Sequence, residues 1–194
     1  MCIHYAVYME AIGLVGGLGS GKDSFGKFIQ DRKGGTLVTT SDVARRYIED
    51  NELGEPTRDL TRTIATQLRL QNGTDYLLRQ SIDHLPNDEL AIVSGLYVVE
   101  EVMALRAQRR SVIVHVDASD EVRVDRVTGR ARSSDEKDAH NFHRLDGEDM
   151  RGSSTDQRLA DVITMADIRV GGNVPIANTA YWDQQMQRVF QVND

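Results

Sequence analysis

The sequence predicts an α/β fold, a five-stranded parallel sheet with helices on both faces and a small lid. Three observations lead there. Short apolar or β-branched runs alternate with segments of helical periodicity. The runs are apolar almost throughout, as strands covered on both faces are. The first run ends in a glycine-rich turn that opens a helix. Ala11–Val15 (AIGLV) is that first buried strand, and Lys22–Lys33 carries Phe25, Phe28 and Ile29 at helical spacing. Thr36–Thr39 is β-branched, and Ser41 or Asp42 can cap a helix running to about Asn51. Arg58–Leu70 and Tyr76–Leu85 read as two helices broken by Asn72-Gly73. Leu90–Ser94 suits a central parallel strand, Val99–Ala107 a helix, and Ser111–Asp117 (SVIVHVD) another buried strand. Ser119 caps a helix to about Val127. Residues 129–156 are polar, rich in Gly, Ser and Asp, and poor in core residues. Leu159–Met165 reads as a helix, Ile168–Val170 as the last short strand and Tyr181–Val192 as a closing amphipathic helix.

Composition bounds the function. The 194 residues suit one domain with room for a small inserted flap. Residues 1–8 read as an upstream extension, because Met9 stands just before the first strand. With 23 Lys and Arg against 30 Asp and Glu, the net charge is −7, which argues against non-specific binding to nucleic acid or to an anionic membrane. The single cysteine, Cys2, excludes a disulfide framework and a Cys-based zinc cluster. The longest apolar run, Leu90 to Val99, is about half of what a membrane helix requires. No Lys or Arg precedes Lys22, so a basic signal-peptide start is missing and the expected setting is the cytoplasm.

The chemistry concentrates in Gly16-Gly17-Leu18-Gly19-Ser20-Gly21-Lys22. It follows a strand and opens a helix, the context that gives G-x-x-x-x-G-K its meaning. Glycines let the backbone aim several N–H groups at one anion. The helix N-terminus adds partial positive charge, and Lys22 adds a full one for the β- and γ-phosphates. After the lysine, the usual magnesium-binding Ser/Thr is replaced by Asp23, with Ser24 one later. A carboxylate is a good ligand for a hard cation, so Asp23 is the candidate metal residue.

The loop GLVGGLGSGKDSFGKFI, together with TTSDVARRYIE and VRVDRVTGRAR, resembles the P-loop nucleoside monophosphate kinase superfamily. The likeness is to its dephospho-CoA-kinase-like and deoxynucleoside monophosphate kinase-like branch. The resemblance implies phosphoryl transfer from ATP with magnesium, and a single domain with a core at about 9–128 and 157–194, acceptor-binding helices at about 41–85 and a mobile lid bearing arginines at about 129–156. Ser41-Asp42-Val43-Ala44-Arg45 is similar to the family's acceptor segment, so Asp42 and Arg45 would meet the acceptor and Arg45 would hold its phosphate. Arg58, Arg62 and Gln67 lie on the helices from which acceptor contacts usually come. Arg126, Arg130 and Arg132 correspond to arginines that close on the transferring phosphoryl group, and Arg144 is a second clamp candidate. The family usually has Asp-Gly at the end of the third strand, where the Asp helps to hold the metal's water shell. Here Ser94-Gly95 stands there, followed by Tyr97 in place of an arginine-bearing segment. Asp23 is a candidate replacement for that carboxylate, Glu100 or Glu101 could approach from the next helix, and Tyr97 could stack on a base or sugar-like acceptor.

The expectation is an ATP-dependent kinase of a small phosphorylated acceptor, a (deoxy)nucleoside monophosphate in the first place. Two alternatives stay open: dephospho-CoA-kinase-like transfer to a hydroxyl, and a non-catalytic ATP-binding regulatory protein. The expected partner is a small nucleotide substrate, with no nucleic acid and no membrane; a homodimer is left open.

Overall fold

The computed structural model describes residues 9–129, 139–152 and 158–192. The sheet is built from β1 (Ala11–Val15), β2 (Thr36–Thr39), β3 (Ala91–Ser94), β4 (Ser111–Asp117) and β5 (Ile168–Gly171). All pairings are parallel and the order is β2-β3-β1-β4-β5. Between them run α1 (Lys22–Lys33), α2 (Thr40–Asp50), α3 (Arg58–Asn72), α4 (Tyr76–Ile82), α5 (Val99–Gln108), α6 (Asp120–Thr128), α7 (Ala139–Arg151) and α8 (Leu159–Thr164), with α9 (Thr179–Gln191) last. This is the five-stranded parallel sheet that the alternation of apolar runs predicts.

Both faces of the sheet are covered, which is why its strands show little polar alternation. On one side Ile12, Leu14, Ile92, Val114 and Val170 pack with Phe25, Ile29, Trp182 and Val189 of α1 and α9. On the other, Ala11, Val93 and Ile113 pack with Leu78, Val102, Leu105 and Val162. Gly26 lets α1 lie close on the sheet, because a Cβ there would come within 2.8 Å of Leu14. A third, separate cluster, Ala44, Ile48, Ile64, Ala65, Leu68 and Leu77, holds α2, α3 and α4 together.

Two local readings change. The helix after β2 starts at Thr40, and Thr39 is its N-cap, rather than Ser41 or Asp42. The strand runs straight into the helix because the Thr40 hydroxyl bonds the Gly95 carbonyl across the neighbouring strand end. The polar stretch 129–156 contains α7, with Phe142 and Leu145 buried on Leu18 and Val127. Two apolar residues three apart make only a narrow stripe, too weak a periodicity to stand out in the sequence.

One buried ion pair joins α3 to α5. Glu101 of α5 accepts from Arg69 of α3 at 2.7 and 3.2 Å, with neither side chain exposed. Arg69→Met leaves Glu101 charged and buried, so unfolding in urea should show a loss of about 3–5 kcal/mol. Adding Glu101→Gln should restore most of it, and a single-variant loss below about 1 kcal/mol would show that the pair contributes little.

Candidate functional site

The loop between β1 and α1 sits at the carboxyl end of the central strand, where open α/β sheets bind ligands. Its backbone is shaped by glycines at positive φ: Gly19 at 75° and Gly21 at 94°. A Cβ at Gly19 would come within 2.6 Å of the Arg123 carbonyl oxygen, so the position has neither the dihedral nor the space for a side chain. The first-turn amides of α1 have no intrahelical acceptor, and the buried Ser20 hydroxyl has no partner among the described residues. An anion with several oxygens fits this cradle.

Lys22 opens α1 and is buried. Burial works against its charge, but Tyr97, Asp23 and Asp149 outweigh burial and Arg58 and hold its pKa above the ordinary lysine value. Asp23 follows, and its Oδ1 accepts from the Ser94 hydroxyl at 2.5 Å. The carboxylate and hydroxyl that the resemblance places on the third strand and first helix are thus both at this junction, with their positions exchanged. A hard cation held mainly by phosphates and water needs one or two carboxylates, which Asp23 supplies. Among the described residues, His, Cys, Asp and Glu form no cluster of three or more.

Arg126, Arg45 and Arg144 have partners within the chain in this conformation. Arg126 donates to the carbonyls of Gly19 and Ser20 at 3.2 Å each and of Gly172 at 2.6 Å, so it braces the phosphate loop from behind. Arg45 lies on the exposed side of α2 in an ion pair with Asp42. A guanidinium next to an acid one helical turn away is satisfied locally. Arg144 pairs with Glu148 at 3.0 Å and Asp59 at 3.4 Å, and Gln67 is exposed. Arg130 and Arg132 lie outside the described residues. Glu101 is the buried partner of Arg69, and Tyr97 is a buried neighbour of Lys22 rather than an open stacking surface.

Helix α7 supplies what the sequence reading did not assign. Arg123 of α6 bonds Asp146 at 2.5 and 2.9 Å, Asp120 at 2.6 Å and the Leu18 carbonyl at 3.3 Å, with its guanidinium over the Phe142 ring. That ties α7 to the phosphate loop. On its other side, Asp149 pairs with Arg58 and Glu148 with Arg62, both from α3. Asp149 is 1% exposed, and its Oδ1 has no partner among the described residues. Burial pushes its pKa above the ordinary carboxylate value, and Arg58, Arg62 and Lys22 reverse this only in part. No pattern in the sequence flags these acids, because their partners lie on another element.

This is a P-loop nucleotide-binding domain with a kinase-like fold. Residues 12–151 match the AAA domain family, and the chain belongs to it. A UPF0200 protein of Pyrobaculum aerophilum is 30% identical over 160 residues, covering 82% of this chain and 85% of that protein. The chain is therefore also a member of the UPF0200 family. A UPF0200 protein of Saccharolobus solfataricus is 28% identical over 195 residues, with 98% and 96% covered. Among solved structures, TT1252 from Thermus thermophilus superposes with a TM-score of 0.61 at 17% identity, covering 94% and 96% of the two chains. A gluconokinase from Sinorhizobium meliloti gives 0.53 at 18%, covering 95% of each, and shikimate kinase from Aquifex aeolicus 0.51 at 16%, covering 91% and 94%. These likenesses establish the fold. Among the described residues, no helix is long and apolar enough to cross a membrane.

The raised pKa of Asp149 has a signed consequence. Between the ordinary carboxylate value and the raised one, the native state binds more protons than the unfolded state. Stability due to this group therefore falls as pH rises through that window. Asp149→Asn should flatten that part of the stability–pH curve. Urea midpoints across pH 4–8 test it; a steeper decline in the variant would contradict the assignment.

Proposed function

We propose that this chain is an ATP-dependent phosphotransferase acting on a small phosphorylated acceptor, a (deoxy)nucleoside monophosphate in the first instance. One observation carries the reading. Buried Lys22 on the phosphate loop and Arg58 of α3 both act on the buried carboxylate of Asp149, so two walls of one site each present a cation. Bringing two anionic groups together is most of what phosphoryl transfer asks of a protein.

In this mechanism the loop amides and Lys22 hold the β- and γ-phosphates of ATP. Arg58 and Arg62 hold the acceptor phosphate, whose oxygen attacks the γ-phosphorus in line. That oxygen is already ionised, so no strong general base is needed. Magnesium, bound with the nucleotide, would neutralise charge on the β- and γ-oxygens. Asp23 would hold it, with the Ser94 hydroxyl orienting the carboxylate. Arg126 keeps the loop in shape, while Arg130 and Arg132 are the candidates to close over the transferring group.

Release of ADP across a panel of nucleoside monophosphates and dephospho-CoA tests the reading. Turnover is expected with a monophosphate, and Lys22→Ala should reduce it by at least about 100-fold with the fold intact. ATP binding without turnover on any acceptor would favour the regulatory alternative. Asp23→Asn should be mild beyond its effect on metal for a phosphate acceptor, and severe for a hydroxyl acceptor that needs a base. Asp23→Ser should weaken magnesium-dependent ATP binding, and adding Ser94→Asp should regain it. Failure of that double variant would count against the exchanged pair.

A further inference from the structure

Two acids are buried among the described residues, Glu101 and Asp149. Glu101 has partners on both oxygens. Asp149 has one only on Oδ2, which Arg58 holds, while its Oδ1 has no partner among the described residues. Its helix lies along the phosphate loop: one turn earlier on the same face, Asp146 Oδ1 is 2.9 Å from where a Cβ on Gly17 would stand. Asp149 and Lys22 act on each other electrostatically. A carboxylate near a γ-phosphate needs cations around it, and Arg58, Arg62 and Lys22 all act on this one. The other acid of the site, Asp23, is bonded to Ser94 and is the candidate for the cation, and β3 ends in that serine rather than in an acid. A buried carboxylate with a spare oxygen beside the phosphate-binding lysine has the means to accept a proton there.

We propose that Asp149 is a catalytic base carried by α7, and that through it the chain hydrolyses ATP when no acceptor is bound. The inference rests on the phosphotransferase reading only for placing the γ-phosphate at Lys22. The oxygen of a water molecule bonds to the γ-phosphorus as the bond from that phosphorus to the bridging oxygen breaks, and ADP leaves with the electron pair. One proton of the water stays on the new phosphate. The other passes to Oδ1 of Asp149 and from there to solvent. Arg58 keeps Oδ2, which fixes Oδ1 as the oxygen offered to the water. A phosphate acceptor is already ionised and has no use for this base, whereas water needs one. When an acceptor is bound, its oxygen takes the in-line position of the water, and transfer replaces hydrolysis. Burial raises the pKa of Asp149 towards the working pH, which suits a base.

The test measures phosphate release from the full chain with ATP and magnesium and no acceptor. The wild-type chain should hydrolyse ATP, and Asp149→Asn should lower the maximal rate about 100-fold, the scale of a lost general base. Asp149→Glu should regain part of it. Protonating the base stops the reaction, so the wild-type rate should fall as pH drops through the raised value of Asp149, and Asp149→Asn should lack this limb. Arg58 opposes the rise, so Arg58→Gln should move the limb to higher pH. A residue that only braces the fold would leave the limb where it is. The proposal falls if a wild-type chain that binds ATP releases no phosphate, if Asp149→Asn is as fast as the wild type, or if the limb stays in place in Arg58→Gln. Transfer to a monophosphate by a chain with no hydrolysis of its own would refute this inference and leave the phosphotransferase reading standing. Hydrolysis with transfer to no acceptor would do the opposite.

Discussion

Glu101 lies without exposed surface beneath the segment that follows β3, and its two oxygens serve two walls of the site. Oε1 takes both donors of Arg69 from α3, while Oε2 takes the backbone N–H groups of Tyr97 at 2.8 Å and Val98 at 3.4 Å. Helix α3 and the segment beside Lys22 are therefore referred to one charge. A buried ion pair contributes little net stability compared with a well-packed apolar pair, but it is costly to break from one side. Here it fixes relative position. The Tyr97 carbonyl accepts from the Arg158 amide at 2.8 Å, and the Gly95 carbonyl accepts from Thr40, so the same short segment also anchors α2 and the start of α8.

Around that fixed floor the site is built from charges that satisfy one another. Lys22, Arg58 and Arg62 face Asp23, Asp149 and Glu148, and Ser94 bonds Asp23. Such a cluster stores its attraction for an anion in internal pairs, which limits the cost of leaving so many charges near the interior. The Asp23–Ser94 contact makes the point at the level of two residues. Each alone departs from the family pattern, yet together they return the same pair of functional groups to the same place.

The fold was more legible than the site. β1, α1, β2 and β4 end where the sequence places their ends, because apolar runs, a glycine loop and β-branched residues are local signals. The phosphate loop was legible for the same reason. The destinations of the arginines were not. A guanidinium fork is satisfied by peptide carbonyls as well as by phosphate, and Arg126 takes three carbonyls. The Arg58–Asp149 pair joins residues 91 apart in sequence, and the Ser94–Asp23 pair joins residues 71 apart. No local pattern encodes such meetings. α7 escaped notice because its burial depends on Leu18 and Val127, which become its neighbours only once the loop is folded.

The strand order has a consequence for how the chain is made. β1 and β2 emerge first, yet they do not pair with each other, and both wait for β3 between them. β1 then needs β4 as well, since Ala11 pairs with both Ala91 and Ser111. Two apolar strands must therefore remain without partners while much of the chain is still to be synthesised, the condition in which non-local sheets fold slowly and are exposed to aggregation. The α2–α4 cluster, built from contacts between residues 44 and 77, is the one part of this first half that can consolidate early. It gives the nascent chain a compact body before the sheet exists to receive it.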